Sequence, residues 1–162
     1  MKKLILFLNL LTLLILSGCS SDDDNENTQI NGTLIFGEFA GSTICSGDCS
    51  SIYKIDAENV YKNIDNDYPE NTFFKGDFQL ISNVNFQDYQ QLITELPNEI
   101  FDEPNGYLDC TDCTNENGGF YLEYQDNNGL HKSWRFRNAI YPDYIENYRS
   151  LLLDKIAELN SL

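Results

Sequence analysis

The stretch FYLEYQDNNGLHKSWRFR, residues 120–137, contains the clearest structural signal in the chain. Residues 120–125 alternate between two sets of side chains, and residues 130–137 do the same. The sets are Phe120, Leu122 and Tyr124 against Tyr121, Glu123 and Gln125, then Leu130, Lys132, Trp134 and Phe136 against His131, Ser133, Arg135 and Arg137. A period of two is typical of β-strands, and Asp126-Asn127-Asn128-Gly129 has the composition of a turn. We therefore predict an antiparallel hairpin.

The chain before this hairpin predicts further strands. Residues 32–39 alternate in the same way and are expected to form one strand. Residues 52–55 and 59–61 are expected to form a second hairpin across Asp56-Ala57-Glu58. Residues 72–80 are a further strand, interrupted at Gly76. Short strands separated by turn residues indicate an antiparallel sheet.

Two segments have helical spacing. In the first, Asn85 is the expected N-cap, Pro97 ends the helix, and the apolar positions are Phe86, Tyr89, Ile93 and Leu96. In the second, Pro142 precedes an apolar stripe of Ile145, Tyr148, Leu152, Ile156 and Leu159. Acidic residues cover the rest of this second helix, so we expect the stripe to be buried against the sheet.

These elements predict an α+β fold in which an antiparallel sheet has two helices packed on one face. Residues 30–162 are expected to form a single domain. A chain of this size buries about two-thirds of its unfolded surface, so the core needs no metal or disulfide. Two predicted loops, residues 40–51 and 102–119, carry the cysteine pairs.

The first nineteen residues have the features of an export signal. Lys2 and Lys3 precede an apolar run from Leu4 to Leu16, which is too short to span a bilayer. Leu16-Ser17-Gly18-Cys19 resembles the lipobox of bacterial lipoproteins, which implies lipidation of Cys19 and removal of residues 1–18. Residues 19–29 are polar and acidic, and we expect them to form a flexible tether. The membrane is thus an expected partner through the lipid on Cys19.

The segment after Cys19 predicts a location. Ser21-Asp22-Asp23-Asp24 resembles the acidic export signal of surface-exposed lipoproteins of Bacteroidota. That resemblance implies the outer face of the outer membrane, and the periplasmic face is the alternative. The later part of the chain loosely resembles uncharacterised domains of the same lipoproteins, a resemblance that carries no activity over.

The charge of the chain excludes one class of partner. Ten basic and 26 acidic residues give a net charge of −16, and loss of residues 1–18 would leave 8 basic residues against the same 26. Such a surface repels nucleic acid and anionic lipid. We therefore expect no nucleic-acid binding, whereas Ca²⁺ or a cationic partner would be attracted.

Four cysteines outside the signal form two close pairs, Cys45 with Cys49 and Cys110 with Cys113. Structural disulfides, a Cys₄ zinc site and a reactive dithiol are the three alternatives. An exported protein meets oxidising conditions, which favours disulfides. Cys45 and Cys49 lack the two-residue spacing of a zinc knuckle, so no metal is expected. Asp48, Asp109 and Asp112 disfavour thiolates, and loop residues rather than a helix follow Cys113.

The pairing of these cysteines is left open by the sequence. A bridge between the two loops would close about 65 residues and stabilise by about 4 kcal/mol, against about 2 kcal/mol for each local loop. Proximity along the chain favours the local pairs, and we expect local pairing, Cys45 with Cys49 and Cys110 with Cys113.

Other candidate sites have simple explanations. His131 is the only histidine and is expected on the solvated face of its strand; no Gly-x-Ser-x-Gly motif accompanies it. Residues 63–67 resemble the start of a calcium loop, but Tyr68 stands where the loop requires Gly and Phe74 stands where it requires Glu. Gly32, Gly37 and Gly41 lack the spacing of a phosphate-binding loop, so no cofactor is expected. An exposed row of Tyr121, Tyr141 and Tyr144 could bind glycan or protein.

The sequence therefore predicts a membrane-anchored, surface-exposed lipoprotein that acts as a binding or structural module of unknown ligand. No catalytic motif is present, so an enzyme is not expected. The alternative is an extracytoplasmic thiol-disulfide redox or metal-binding protein that uses Cys45, Cys49, Cys110 and Cys113.

Overall fold

A computed structural model describes residues 32–41, 49–65, 69, 73–114 and 118–162. The signal segment, Cys19, the tether and Cys45 lie outside these residues. Seven strands form one sheet, and their bounds are β1 Gly32–Phe39, β2 Ser50–Ile55, β3 Val60–Asn63, β4 Phe78–Leu80, β5 Gly106–Tyr107, β6 Gly119–Asp126 and β7 His131–Phe136. The helices are α1 Gln87–Thr94 and α2 Glu146–Asn160, with 3₁₀ turns at Asn98–Asp102 and Asp143–Ile145.

The strand order is β4-β3-β2-β1-β6-β7-β5, and only the β5–β7 pair is parallel. The hairpin predicted over residues 120–137 is confirmed as β6 and β7, with Leu122 opposite Trp134 and Glu123 opposite Ser133. The predicted strand at residues 32–39 is confirmed as β1, which pairs with β2 on one side and β6 on the other. The chain thus has the α+β class that the sequence predicts, with a larger sheet.

The larger apolar cluster lies on one face of the sheet and includes residues of both helices. Leu34 and Phe36 of β1, Leu122 of β6 and Trp134 of β7 contribute to it and are fully buried. The predicted stripe of α2 is confirmed: all of its members are buried, namely Ile145, Tyr148, Leu152, Ile156 and Leu159. Alternation along the strands therefore directs these side chains toward the helices.

A second, smaller apolar cluster lies on the opposite face of the sheet. It joins Ile35 of β1, Ile52 of β2 and Tyr121 of β6 to Phe74, which belongs to an irregular segment at residues 73–77. Gly37 is required beneath this cluster, because a Cβ there would collide with the Ser51 carbonyl and lie 2.8 Å from the Ile52 Cα. Both faces of the sheet are therefore covered. A two-layer fold, with helices on one face only, would leave the other face open.

Three sequence expectations need correction. The strand expected at residues 72–80 is reduced to β4, because the preceding segment packs across the second face instead of pairing with a strand. The loop expected at residues 102–119 contains β5, which joins the sheet through two residues beside β7. Helix α1 begins two residues after Asn85, and the Asn85 side chain accepts only a 3.3 Å hydrogen bond from the Gln87 N–H.

No helix among the described residues combines the length and the apolar character needed to cross a membrane.

Candidate functional site

The second face of the sheet carries a polar cluster centred on Glu123 of β6, which is only 5% exposed. One carboxylate oxygen, Oε2, accepts hydrogen bonds from the Tyr121 hydroxyl and, at 2.8 Å, from the Phe74 N–H. The other oxygen, Oε1, lies 2.7 Å from His131 Nε2. A buried carboxylate is costly unless it is hydrogen-bonded, and three groups from separate parts of the chain meet that need here.

Tyr121 is held in this cluster as a neutral phenol. Burial, followed by the neighbouring Glu123 carboxylate, raises its pKa well above the ordinary range. Its hydroxyl oxygen also lies 3.2 Å from the Phe74 N–H, which is shared between Tyr121 and Glu123. The cluster therefore fixes the segment that carries Phe74 against the sheet.

The structure places His131 in this cluster rather than on an open, solvated face. Its side chain is 29% exposed, and Phe73 stacks on its ring with centroids 3.4 Å apart. A carboxylate on one ring nitrogen is the arrangement that orients imidazoles in catalytic and metal sites. Within the described ranges, however, no three His, Cys, Asp or Glu side chains gather to hold a metal ion.

Arg135 of β7 is the largest of the buried charged side chains and is 1% exposed. Its Nε donates a 3.3 Å hydrogen bond to the Pro69 carbonyl, and its guanidinium carbon lies 5.3 Å from the Tyr121 ring. Its Nη2 is buried and has no hydrogen-bond partner among the residues that the structure describes. Burial lowers the pKa of this guanidinium, and the nearby Tyr121, Tyr107 and Glu123 oppose that effect.

The cysteines are oxidised where the structure describes them. Cys110 and Cys113 form a disulfide in the loop between β5 and β6, and Cys49 is also disulfide-bonded. Because Cys110 and Cys113 are bonded to each other, neither is available to Cys49. A bridge between the two cysteine-containing loops is therefore excluded. Cys45 lies outside the described residues.

The exposed tyrosine row that the sequence offered as one possibility is not formed. Tyr121 is fully buried in the second-face cluster, whereas Tyr141 and Tyr144 are partly buried against the larger cluster that contains the helices. The three rings therefore lie on opposite faces of the sheet. Alternation along β6 is the reason, since Tyr121 points away from Phe120 and Leu122.

Two shallow clefts lie at opposite ends of β1. One, of about 260 Å³, is lined by residues that include Glu38, Ser50, Ser51 and Asn138. The other, of about 350 Å³, lies beside the β2–β3 turn at Asp56 and Glu58. Neither cleft is lined by Glu123, His131 or Arg135.

No family model, no curated protein and no solved structure matches this chain. The candidate site is thus defined by its own chemistry. The sequence pattern did not predict this polar cluster, because Glu123, His131 and Arg135 occupy alternate positions expected to face solvent. The sequence feature that could have indicated the cluster is three ionisable side chains together with Tyr121 on one side of one hairpin.

Proposed function

We propose that this protein is a lipid-anchored binding or structural module of the cell surface, attached to the outer membrane through Cys19. In this proposal both helices pack on one face of the sheet, and the second face with its polar cluster carries the binding role. The observation that supports a non-catalytic role is that Glu123 is 5% exposed and has both carboxylate oxygens in hydrogen bonds within the fold. A general base needs an accepting atom within reach of a substrate proton.

The anchor is tested by intact-mass analysis of protein extracted from membranes, together with protease treatment of whole cells. We expect a chain that begins at a lipid-modified Cys19 and is cleaved by external protease. A Cys19→Ala variant should lose the lipid mass and leave the membrane fraction. Retention of Met1, or an unmodified Cys19 in the parent protein, would contradict the anchor.

A thiol-disulfide oxidoreductase is the second candidate, and the Cys110–Cys113 disulfide with its two-residue spacing is the observation that favours it. Two features weigh against this candidate. Asp109 precedes the pair and Asp112 lies within it, and no helix begins at Cys110 to stabilise a thiolate at its N-terminus.

Catalysed reduction of insulin by dithiothreitol separates the two candidates. We expect the parent protein and a Cys110→Ser variant to leave the uncatalysed rate unchanged. Turnover by the parent that disappears in Cys110→Ser would make the oxidoreductase the better proposal.

A further inference from the structure

Two arginines lie on the same side of the chain at one edge of the second face. Arg135 ends the ladder between β7 and β5, where it is in register with Tyr107. Arg137 is two residues further along an extended chain and so points to the same side. Both guanidinium charges act to lower the pKa of the Tyr107 hydroxyl, although burial outweighs them and raises it.

Within the described residues, no ion pair compensates the positive charge at this edge. The Glu123 carboxylate, which also acts on Arg135, already accepts from Tyr121, Phe74 and His131. Among the residues that the structure describes, ion pairs join His131 to Glu123 and Lys155 to Glu158, and none joins Arg135 or Arg137 to a carboxylate. This is unusual in a chain with 26 acidic and 10 basic residues.

A buried charged donor normally has a hydrogen-bonding counter-charge, because an unpaired one is costly. Arg135 Nη2 is such a donor, because it is buried and has no partner within the described part of the chain. A negatively charged hydrogen-bond acceptor would satisfy this donor. Guanidinium groups bind planar or tetrahedral oxyanions through parallel N–H donors, which makes carboxylate, sulfate and phosphate the matching class.

The outer side of this edge is partly exposed to solvent. Tyr107 and Arg137 are both partly exposed, and β5 consists of only two residues at the margin of the sheet. Arg135 is 1% exposed and Arg137 is the more exposed of the two arginines, so an approaching oxyanion meets Arg137 first.

We propose that Arg135, Arg137 and Tyr107 form a binding site for an oxyanion carried by a small ligand or a glycan. Arg137 captures the anion, Arg135 Nη2 supplies the buried donor, and the Tyr107 ring forms one wall. This inference rests on the proposed binding role and names the chemistry of the ligand. It requires neither the lipid anchor nor the cysteines.

Titration calorimetry on the detergent-extracted protein tests the site at constant ionic strength. The probes are inorganic phosphate, sodium sulfate and galacturonate, which distinguish phosphate, sulfate and carboxylate sources. We expect saturable binding of at least one probe, and about tenfold weaker binding in Arg137→Gln, since a charge-assisted hydrogen bond is lost. Lys62→Gln is the matched control, because it removes an exposed positive charge on β3, and it should bind like the parent protein.

Absence of saturable binding by all three anions would overturn the site, and so would equal affinity in the parent protein and Arg137→Gln. Equal weakening by Arg137→Gln and Lys62→Gln would also overturn it, because it would show only a general charge effect. These results are distinguishable from failure of the proposed function, which is read from the mass of Cys19 and from insulin reduction.

Discussion

At the scale of single residues, Glu123 shows how a buried charge is accommodated on the covered second face of the sheet. Its three hydrogen bonds come from its own strand, from β7 and from the segment at residues 73–77, so the carboxylate connects parts of the chain that are far apart in sequence. Hydrogen bonds to a charged group are roughly twice as strong as neutral ones. Loss of that charge should therefore weaken the attachment of the whole segment.

Replacement of Glu123 by Gln should lower the free energy of unfolding by about 1–3 kcal/mol, since charge-assisted bonds become neutral and an amide N–H₂ faces other donors. Urea unfolding followed by circular dichroism measures the change. Glu58→Gln, in the exposed β2–β3 turn, is the matched control and should be close to neutral. Similar losses in the two variants would contradict the role assigned to Glu123.

Tyr53 should make stability depend on alkaline pH. Burial, aided by the Glu38 carboxylate, raises its pKa to about 12, against an ordinary value of 10. A raised pKa in the folded state means that its contribution to stability is fully present below pH 10 and is lost as pH rises toward 12. The free energy of unfolding should therefore fall across that interval.

The Tyr53→Phe variant removes this ionisable group together with the 2.7 Å hydrogen bond from its hydroxyl to Asn160. Its free energy of unfolding should fall less steeply than that of the parent protein between pH 10 and 12. Measurements at pH 8, where the phenol is neutral in both states, give the constant cost of the lost hydrogen bond. Identical slopes above pH 10 would show that Tyr53 does not contribute.

At the scale of elements, the two helices are linked to each other as well as to the sheet. The Tyr148 hydroxyl of α2 donates a 2.7 Å hydrogen bond to the Leu92 carbonyl near the end of α1. In a continuing α-helix the Leu96 N–H would donate to the Leu92 carbonyl. It donates to the Ile93 carbonyl instead. Carbonyl groups in the last turn of a helix need outside donors, and Tyr148 supplies one. Lys155 of α2 also lies 5.0 Å from the Tyr89 ring of α1.

The Tyr148→Phe variant should lower the free energy of unfolding by about 1–2 kcal/mol, because the buried Leu92 carbonyl loses its donor while the ring packing is kept. Thermal and urea unfolding both measure this. Tyr144→Phe is the control, since its hydroxyl makes only a 3.3 Å hydrogen bond with Glu103 in a less buried position. A larger loss in Tyr144→Phe than in Tyr148→Phe would contradict this assignment.

At the scale of the whole molecule, stability rests mainly on the sheet and its two apolar clusters. β1 and β6 pair over eight residues at the centre of the sheet, and most of the larger cluster is contributed by side chains of the central strands and the helices. The Cys110–Cys113 disulfide closes only a short loop outside these clusters. It should therefore adjust stability rather than determine whether the chain folds.

A Cys110→Ser, Cys113→Ser double variant should fold at room temperature and lose about 2 kcal/mol of stability, the value expected for so short a loop. The far-ultraviolet circular dichroism spectrum checks the fold, and the urea midpoint checks the loss. Thiol counting on the denatured, unreduced parent protein should find no free thiol at these positions. An unfolded double variant would show that the loop organises β5 and β6.

Local patterning was enough to predict much of this fold. The alternation at residues 120–137 and 32–39 specifies strands with defined faces, and the spacing from Ile145 to Leu159 specifies a buried helical stripe, because each pattern depends only on the geometry of its own element. The α+β class and the oxidised state of Cys110 and Cys113 follow from such patterns and from composition. The lipobox and the acidic segment after Cys19 remain predictions.

Packing between residues distant in the chain determined the features that local patterning did not predict. The sequence of residues 73–77 has no period that reveals its position across the second face, and β5 is too short to be recognised before it pairs with β7. Glu123, His131 and Arg135 look like solvent-facing residues until that segment covers them. Whether a polar side chain of a strand meets water or a buried partner depends on what packs above the sheet, and that is settled only by contacts between residues distant in the chain.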